Sequence, residues 1–244
     1  MKKIVTIHQP NYLPWLGFFH KLLISDVFVV FDDVQFEKNS YNNRNKIKIA
    51  QGDCWLTIPI ITRGKSKEIL IINAQIVNKQ NWAKKHLKTI QANYSKSNYY
   101  RDYIYFFEDA YSKTWNTLFD LNMHFLKWLL EELKIDTEVV ISSHLKEKKG
   151  KKDKLVLDIC KSLDADIYIS GTLGKDYLDL NEFKKEGIYV YFQDYKHPSY
   201  SQLWGDFIPY LSVIDLLFNH GKESKNIIMY ENVNKEKILE EGKE

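Results

Sequence analysis

The sequence predicts an α/β fold in which helices flank a mainly parallel sheet. Short runs of β-branched and aromatic residues alternate with segments of helical periodicity near both ends of the chain. The first two runs, 4–7 and 27–31, enclose a helical segment at 15–24, which is typical of a right-handed βαβ unit. This alternation predicts a Rossmann-like sheet.

The middle of the chain has a different pattern and is predicted to be an insertion or cap at about 51–135. Two apolar runs, 55–61 and 68–76, flank a turn-like sequence at 63–65 and favour a hairpin. The Asn-rich stretch 35–50 before them is expected to be a polar loop.

Long helical patterns follow the expected hairpin, and β-type runs return after them. The remaining predicted helices are 81–94, 99–111, 115–133, 155–163, 179–186 and 210–218, and the remaining predicted strands are 138–142, 166–170 and 187–192. The basic run 146–154 is expected to be a mobile loop. We expect one domain over 1–230 and a charged, frayed tail at 231–244.

Composition excludes several classes of protein. A hydrophobic content of 44% and a charged content of 27% are ordinary for a globular chain, and a net charge of +3 is too small to favour nucleic-acid binding. Two cysteines without a CxxC motif exclude a disulfide scaffold and a zinc ribbon. The chain has no apolar run of about 18 residues and no signal-peptide pattern, so we expect a cytoplasmic protein without a membrane span.

The most informative cluster of polar and aromatic residues follows the first predicted strand. Ligands bind at the carboxyl ends of strands in open α/β sheets, so we expect a site here. His8 and His20 are candidate general bases, and Gly17 would let a ligand approach the backbone. The other candidate binding residues of this cluster are Gln9, Asn11, Tyr12, Trp15 and Lys21. The alternative is an aromatic-rich turn that caps the core.

Three further polar clusters follow predicted strands, and parallel strands would bring them to the same edge of the sheet. The second cluster offers Asp32 as a base, Arg44 as a clamp for phosphate or carboxylate, and Gln35 and Asn45 as binding groups. The alternative is a solvated turn. A metal is not expected, because no wider ligand set accompanies the carboxylates.

The third cluster contains Gly171, Lys175 and Tyr177, which could cradle a phosphate although P-loop spacing is absent. The fourth contains His197, a candidate acid or base. A tight loop and a structural turn are the respective alternatives.

The stretch from Trp15 to His20 resembles the HxGH motif of nucleotidylyltransferases, which opens a helix after a first strand. Here a Trp replaces the first His and the second His is displaced. The similarity supports a Rossmann-like start and does not establish nucleotide transfer.

Several motifs together resemble the WbqC-like family over about 4–221. They are the stretches 8–17, 32–36, 43–45, 170–171, 177–178, 197–200 and 211–221. The resemblance implies a bacterial protein of surface-polysaccharide loci, such as those for O-antigen, that acts on a sugar nucleotide. It supplies no catalytic roles.

We therefore expect a transferase that carries an acyl or aminoacyl group to the amine of a nucleotide-linked amino sugar. The sequence does not identify the cofactor, for which an acyl, aminoacyl or nucleotide donor is the candidate, and the expected partner is a small molecule, with no nucleic acid. The alternatives are a nucleotidylyltransferase or adenylating enzyme, and a non-catalytic sugar-nucleotide binding protein.

Overall fold

A computed structural model describes residues 2–62, 68–146, 148, 150 and 153–242. Within these residues, seven strands alternate with nine helices and several short 3-10 turns. The strands are β1 (Ile4–His8), β2 (Val27–Val30), β3 (Arg44–Ile49), β4 (Gly52–Thr57), β5 (Glu138–Ile141), β6 (Ile167–Ser170) and β7 (Tyr189–Phe192). The helices are α1 (Leu16–Leu23), α2 (Trp82–Tyr94), α3 (Tyr100–Ser112), α4 (Leu118–Glu132), α5 (Asp153–Ser162), α6 (Leu180–Lys185), α7 (Val213–His220), α8 (Ser224–Met229) and α9 (Lys235–Glu241).

Five strands form one parallel sheet in the order β5-β2-β1-β6-β7. The chain first builds outward from β1 through β2 to β5, and then returns to the other side of β1 with β6 and β7. The strand order therefore reverses between β1 and β6, and such a switch point leaves a crevice at the carboxyl ends of the strands. The predicted α/β class and its parallel sheet are confirmed.

The sheet is buried because its central strands are apolar on both faces. Ile4 and Val5 of β1 and all four residues of β2 are almost fully shielded from solvent. Helices on both faces are typical of a parallel sheet, and they explain why these strands lack the alternation of a half-exposed strand.

The hairpin and the central helices form a second region, and its aromatic core is continuous with one face of the sheet through Phe28 and Val30. Phe107, Phe125 and Phe218 are buried there, and the rings of Phe106 and Trp128 stack with centroids 4.1 Å apart. None of the described helices combines the length and the apolar character that a membrane crossing requires.

The inserted hairpin is not the one that the sequence predicts. β3 lies inside the stretch expected to be a loop, and it pairs antiparallel with β4. The segment 68–76 instead contains a 3-10 turn at Ile71–Asn73 and forms only isolated bridges, which join Gln35 with Leu70, Ile60 with Ile76 and Gln75 with Thr117. The expected turn at 63–65 lies outside the described residues.

The physical reason for this difference is a buried polar side chain. Asn45 fills a core-facing position of β3, where its amide donates to the carbonyl of Leu13 at 2.6 Å and takes the place of an apolar residue. The strand therefore lacks the apolar alternation by which a sequence reveals a half-buried strand.

The tail that we expected to be frayed instead contains helix α9. Ile238 has 0% exposure and packs against Ile4, Ile24 and Ile169 at the end of the sheet, and Lys235 pairs with Asp26. A single buried isoleucine among charged residues gives a weak periodic signal, so composition alone favoured a frayed tail. The expected basic loop at 146–154 lies partly outside the described residues, and α5 begins at Asp153.

Candidate functional site

A cleft of about 470 Å³ opens at the carboxyl ends of β1, β6 and β7, beside the switch point. Residues from the end of each of these strands line it, together with the first turns of α1 and the loop after β6. This location is the one at which doubly wound sheets bind ligands. The residues that line it are Ile7, His8, Trp15, Gly17, Phe18, Lys21, Tyr168, Ser170, Gly171, Thr172, Leu173, Gly174, Tyr177, Gln193, Asp194, Tyr195 and Tyr210.

His8 presents an unprotonated ring nitrogen on the cleft wall. Its Nδ1 lies 2.9 Å from the carbonyl oxygen of Gln9, and because a carbonyl only accepts, Nδ1 carries the proton. Nε2 has no partner among the described residues. Burial, and then the charge of Lys21, lower the pKa of His8 to about 3, so the ring is neutral at physiological pH.

Lys21 places a buried ammonium group in the same cleft. Its side chain is 4% exposed, and within the described part of the chain it has neither a hydrogen-bond acceptor nor an ion-pair partner. Burial lowers its pKa to about 8. A buried cation without a partner is costly, and an anionic group of a ligand would satisfy it.

An aromatic wall forms another side of the cleft. The indole of Trp15 meets the ring of Tyr195 edge to face at 5.5 Å and that of Tyr210 at 5.7 Å. Gly17 has a different role from the one expected: a Cβ there would lie 2.2 Å from the Trp15 ring. The glycine therefore makes room for the indole, and both residues line the cleft.

The wall of the cleft that β6 and the loop after it form carries hydroxyl groups and a glycine with free space above it. Burial raises the pKa of both Tyr168 and Tyr177, and the hydroxyl of Ser170 partly offsets the increase for each. A Cβ added to Gly171 would meet no atom within 4 Å, so space remains above this residue. The wall offers neutral hydroxyls suited to a sugar or to a phosphate oxygen.

Gln193 follows β7 and closes the cleft between the two halves of the sheet. Its Nε2 donates to the carbonyl of Gly17 at 2.9 Å and lies 2.8 Å from Nδ1 of His20. These bonds tie the end of β7 to helix α1 across β6 and β1.

The structure therefore brings together six of the residues expected from the sequence. They are His8, Trp15, Gly17, Lys21, Gly171 and Tyr177.

Four other residues of the first cluster support the fold beside the cleft. His20 is bonded on both ring nitrogens, to Gln193 and to the carbonyl of Val233 at 2.9 Å. Tyr12 is fully buried and bonds His86 at 2.9 Å. Gln9 and Asn11 both accept from the side-chain amide of Asn42.

Residues of the second cluster lie at the end of β2 and on the hairpin. Asp32 is fully buried and accepts from the backbone and the hydroxyl of Ser143 at 2.9 and 2.6 Å. Gln35 is exposed in an isolated bridge with Leu70. Arg44 lies 4.1 Å above the ring centroid of Trp55, and Asn45 is the buried amide of β3.

The last two candidates lie at the margin. Lys175 is exposed, with its ammonium 5.6 Å from the ring centroid of Phe192. His197 is bonded on both ring nitrogens, to the carbonyl of Pro198 at 2.9 Å and from the backbone N–H of Tyr210 at 3.1 Å. Neither lines the cleft.

The sequence interpretation missed Gln193 and Tyr210 as cleft residues. Gln193 directly follows a strand end, which is the signal that could have found it, but His197 drew attention as the titratable group. Tyr210 was assigned to a helix, whereas it precedes α7 with a left-handed φ of 61°. Among the described residues, no group of three or more His, Cys, Asp or Glu side chains is arranged to hold a metal ion.

Comparison with known proteins identifies the family. The model of the WbqC-like protein family matches residues 9–227. The uncharacterized protein Rv1507c of Mycobacterium tuberculosis is 33% identical over 232 residues, which cover 94% of this chain and 99% of that protein. No solved structure matches significantly. The family match and this relative both span nearly the whole chain, which therefore belongs to the WbqC-like protein family.

Proposed function

We propose that this protein is a cytoplasmic transferase of bacterial surface-polysaccharide biosynthesis, which carries an acyl or aminoacyl group to the amine of a nucleotide-linked amino sugar. The resemblance to proteins of polysaccharide loci supports the pathway. The cleft supports the substrate class, because it combines a buried cation, an aromatic wall and several hydroxyls.

The observation that carries the proposal is the pairing of His8 with Lys21 in one cleft. Nε2 of His8 is an acceptor that would take the proton of the amine as its nitrogen attacks the carbonyl of an activated donor. A C–N bond forms, the donor's leaving group departs with the bonding electrons, and the proton on His8 passes to that leaving group.

Substrate binding would also tune the base. The charge of Lys21 is one cause of the lowered pKa of His8. Burial is the larger cause and persists when a substrate is bound, so a phosphate at Lys21 would remove only the smaller, Coulombic contribution to the lowered pKa.

The test is a search for amide formation. Wild-type protein and the His8→Ala variant are incubated with UDP- or dTDP-linked amino sugars and with acyl or aminoacyl donors, and products are detected by mass spectrometry. We expect an N-acylated sugar nucleotide with the wild type and a loss of at least about 100-fold in rate with the variant. Tight binding without any product would instead favour a sugar-nucleotide binding protein.

The nucleotidylyltransferase alternative has no support from the site geometry. His20, which would stand for the second His of the HxGH motif, is bonded on both nitrogens and lies outside the cleft. Turnover of ATP or CTP by the wild type would reinstate it.

A further inference from the structure

We propose that Gln193 is a specificity-determining residue whose Oε1 accepts the second N–H of the attacking amine, and that His20 and Val233 fix its orientation. This inference rests on the proposed function, since it concerns the acceptor substrate of the same cleft. It gives a role to Gln193, and it explains why His20, which does not reach the cleft, lies directly behind Gln193.

The first step is the protonation of His20. Its Nε2 lies 2.9 Å from the carbonyl oxygen of Val233, which can only accept, so Nε2 carries the proton. Burial lowers the pKa of His20, so the ring is neutral and carries a single proton. Nδ1 must then be an acceptor.

The second step is the orientation of the Gln193 amide. The end of the Gln193 amide that faces Gly17 and His20 lies within hydrogen-bond distance of two acceptors. They are the Gly17 carbonyl at 2.9 Å and Nδ1 of His20 at 2.8 Å. Only the NH₂ end can donate to both, and the flipped amide would place Oε1 against two lone pairs. Oε1 is therefore the free end, and it has no partner among the described residues of the chain.

The third step is what the cleft presents to a substrate. Gln193 is 7% exposed and lines the cleft, as does His8. An internal carbonyl fixes the proton on each of the two histidines, that of Gln9 for His8 and that of Val233 for His20. The cleft thus offers two fixed acceptors, Nε2 of His8 and Oε1 of Gln193.

Two acceptors match a neutral amine better than a hydroxyl. An amine has two N–H donors and one lone pair, so it can donate to both acceptors while the lone pair attacks. A hydroxyl has one proton and leaves one acceptor unpaired, which a desolvated site penalises. Gln193 would therefore select an amino sugar over its hydroxyl counterpart.

The experiment measures this preference by calorimetric binding. The probes are UDP- and dTDP-linked amino sugars, each matched with the sugar that has a hydroxyl in place of the amine. We expect the wild type to bind the amino sugar about fivefold to tenfold more tightly, and Gln193→Met, which keeps the side-chain length, to lose this preference. Equal preference in the two proteins would overturn the inference.

His20 has its own test, because it acts only through Gln193. His20→Phe should reduce the preference, and the His20→Phe, Gln193→Met double variant should be no worse than Gln193→Met alone. Asn232→Ala is the matched control: it removes the bonds from Asn232 to the backbone of Lys196, both 2.9 Å, which also anchor the tail. If the control loses the preference as well, general loosening of the tail explains the effect and the inference fails.

The outcomes separate this inference from the proposed function. If no sugar nucleotide binds the wild type, both fail. If the wild type binds and acylates an amino sugar but Gln193→Met discriminates equally well, the proposed function stands and only the role of Gln193 is overturned.

Discussion

The cleft contains a half-buried histidine, His8, and the aromatic core contains a buried one, His86; the two differ in how their ring nitrogens are bonded. Burial is the main cause that lowers the pKa of His8 to about 3 and that of His86, on α2, to about 4. His86 is bonded on both nitrogens, to the Tyr12 hydroxyl at 2.9 Å and to the Thr57 carbonyl at 3.2 Å. Among the residues that the structure describes, His8 has a hydrogen-bond partner on Nδ1 alone. The lowered pKa reports burial in both, and of these two histidines only His8 places an open ring nitrogen at the cleft.

Two buried lysines, Lys48 and Lys21, differ in the same way. Lys48 of β3 is 2% exposed and bonds Gln202 at 3.3 Å and the carbonyl of Asp206. Lys21 is similarly buried but has no partner among the described residues. Lys48 is satisfied within the protein, whereas Lys21 and Nε2 of His8, which both line the cleft, have no partner among the described residues. Unpaired buried atoms also occur outside the cleft, at Nε of Arg44 and Nε2 of His124.

The largest expected effect separates the two histidines by activity. His8→Asn removes the cleft acceptor and should reduce turnover of the proposed reaction by about 10²–10⁴-fold. His86→Asn, measured on folded protein, should keep turnover within about twofold. Steady-state kinetics on both variants tests the contrast, and similar losses in the two would mean that the open nitrogen has no special role.

The next largest effect is a change in the free energy of unfolding, which is expected to have opposite signs for substitutions at the two lysines. Lys21→Met removes a buried, unpaired charge and should stabilise the protein at pH 7 by about 3 kcal/mol. Lys48→Met removes a buried ammonium group together with its hydrogen bonds and should destabilise the protein by about 3 kcal/mol. Chemical denaturation measures both free energies of unfolding.

The Lys21 contribution also has a pH signature. Its pKa is about 8 in the folded protein and 10.5 for the exposed group, so the unfolded chain binds more protons between these values. The advantage of Lys21→Met over the wild type should therefore shrink as pH rises from 8 to 10. A constant difference across this range would show that the Lys21 charge is not the cause.

A smaller effect concerns the closed network around His86. His86→Leu removes the bond of His86 to the Thr57 carbonyl and one of the two partners of the Tyr12 hydroxyl, which keeps its bond to Tyr111, and should cost about 2 kcal/mol. Because the folded pKa of His86 lies below 6.5, wild-type stability falls as pH drops from 6.5 toward 4, and the variant should lose less over this range. Melting temperatures measured from pH 4 to 7 test both expectations, and a parallel decline in the two proteins would assign the pH dependence to other groups.

The smallest effect is expected at Arg44, which the sequence favoured as a phosphate clamp. It lies over Trp55 on the hairpin, so Arg44→Ala should change the affinity for a sugar nucleotide by less than about twofold. Calorimetric titration measures it, and a tenfold loss would place the anion site on the hairpin rather than at Lys21.

The sheet and part of the site could be predicted from the sequence because both depend on local patterns. Apolar runs identified the parallel strands, and polar residues after them identified the edge at which His8 and Lys21 meet. Hydrogen bonds between distant segments, such as that from Gln193 to His20, leave no local pattern. The sequence therefore could not separate His8 from His20, or predict that Asn45 is a core residue of a strand.

The most direct test of the central claim is the pH dependence of sugar-nucleotide binding at Lys21. Calorimetric titration of a UDP-linked sugar that has a hydroxyl in place of the amine, and so no amine that titrates in this range, is carried out from pH 7 to 9.5 with the wild type and with Lys21→Met. We predict that wild-type affinity falls as pH rises through about 8, where Lys21 loses its proton, and that Lys21→Met binds weakly at every pH without that decline. Equal affinity in the two proteins, with the same pH dependence, would contradict the assignment of the cleft as the substrate site.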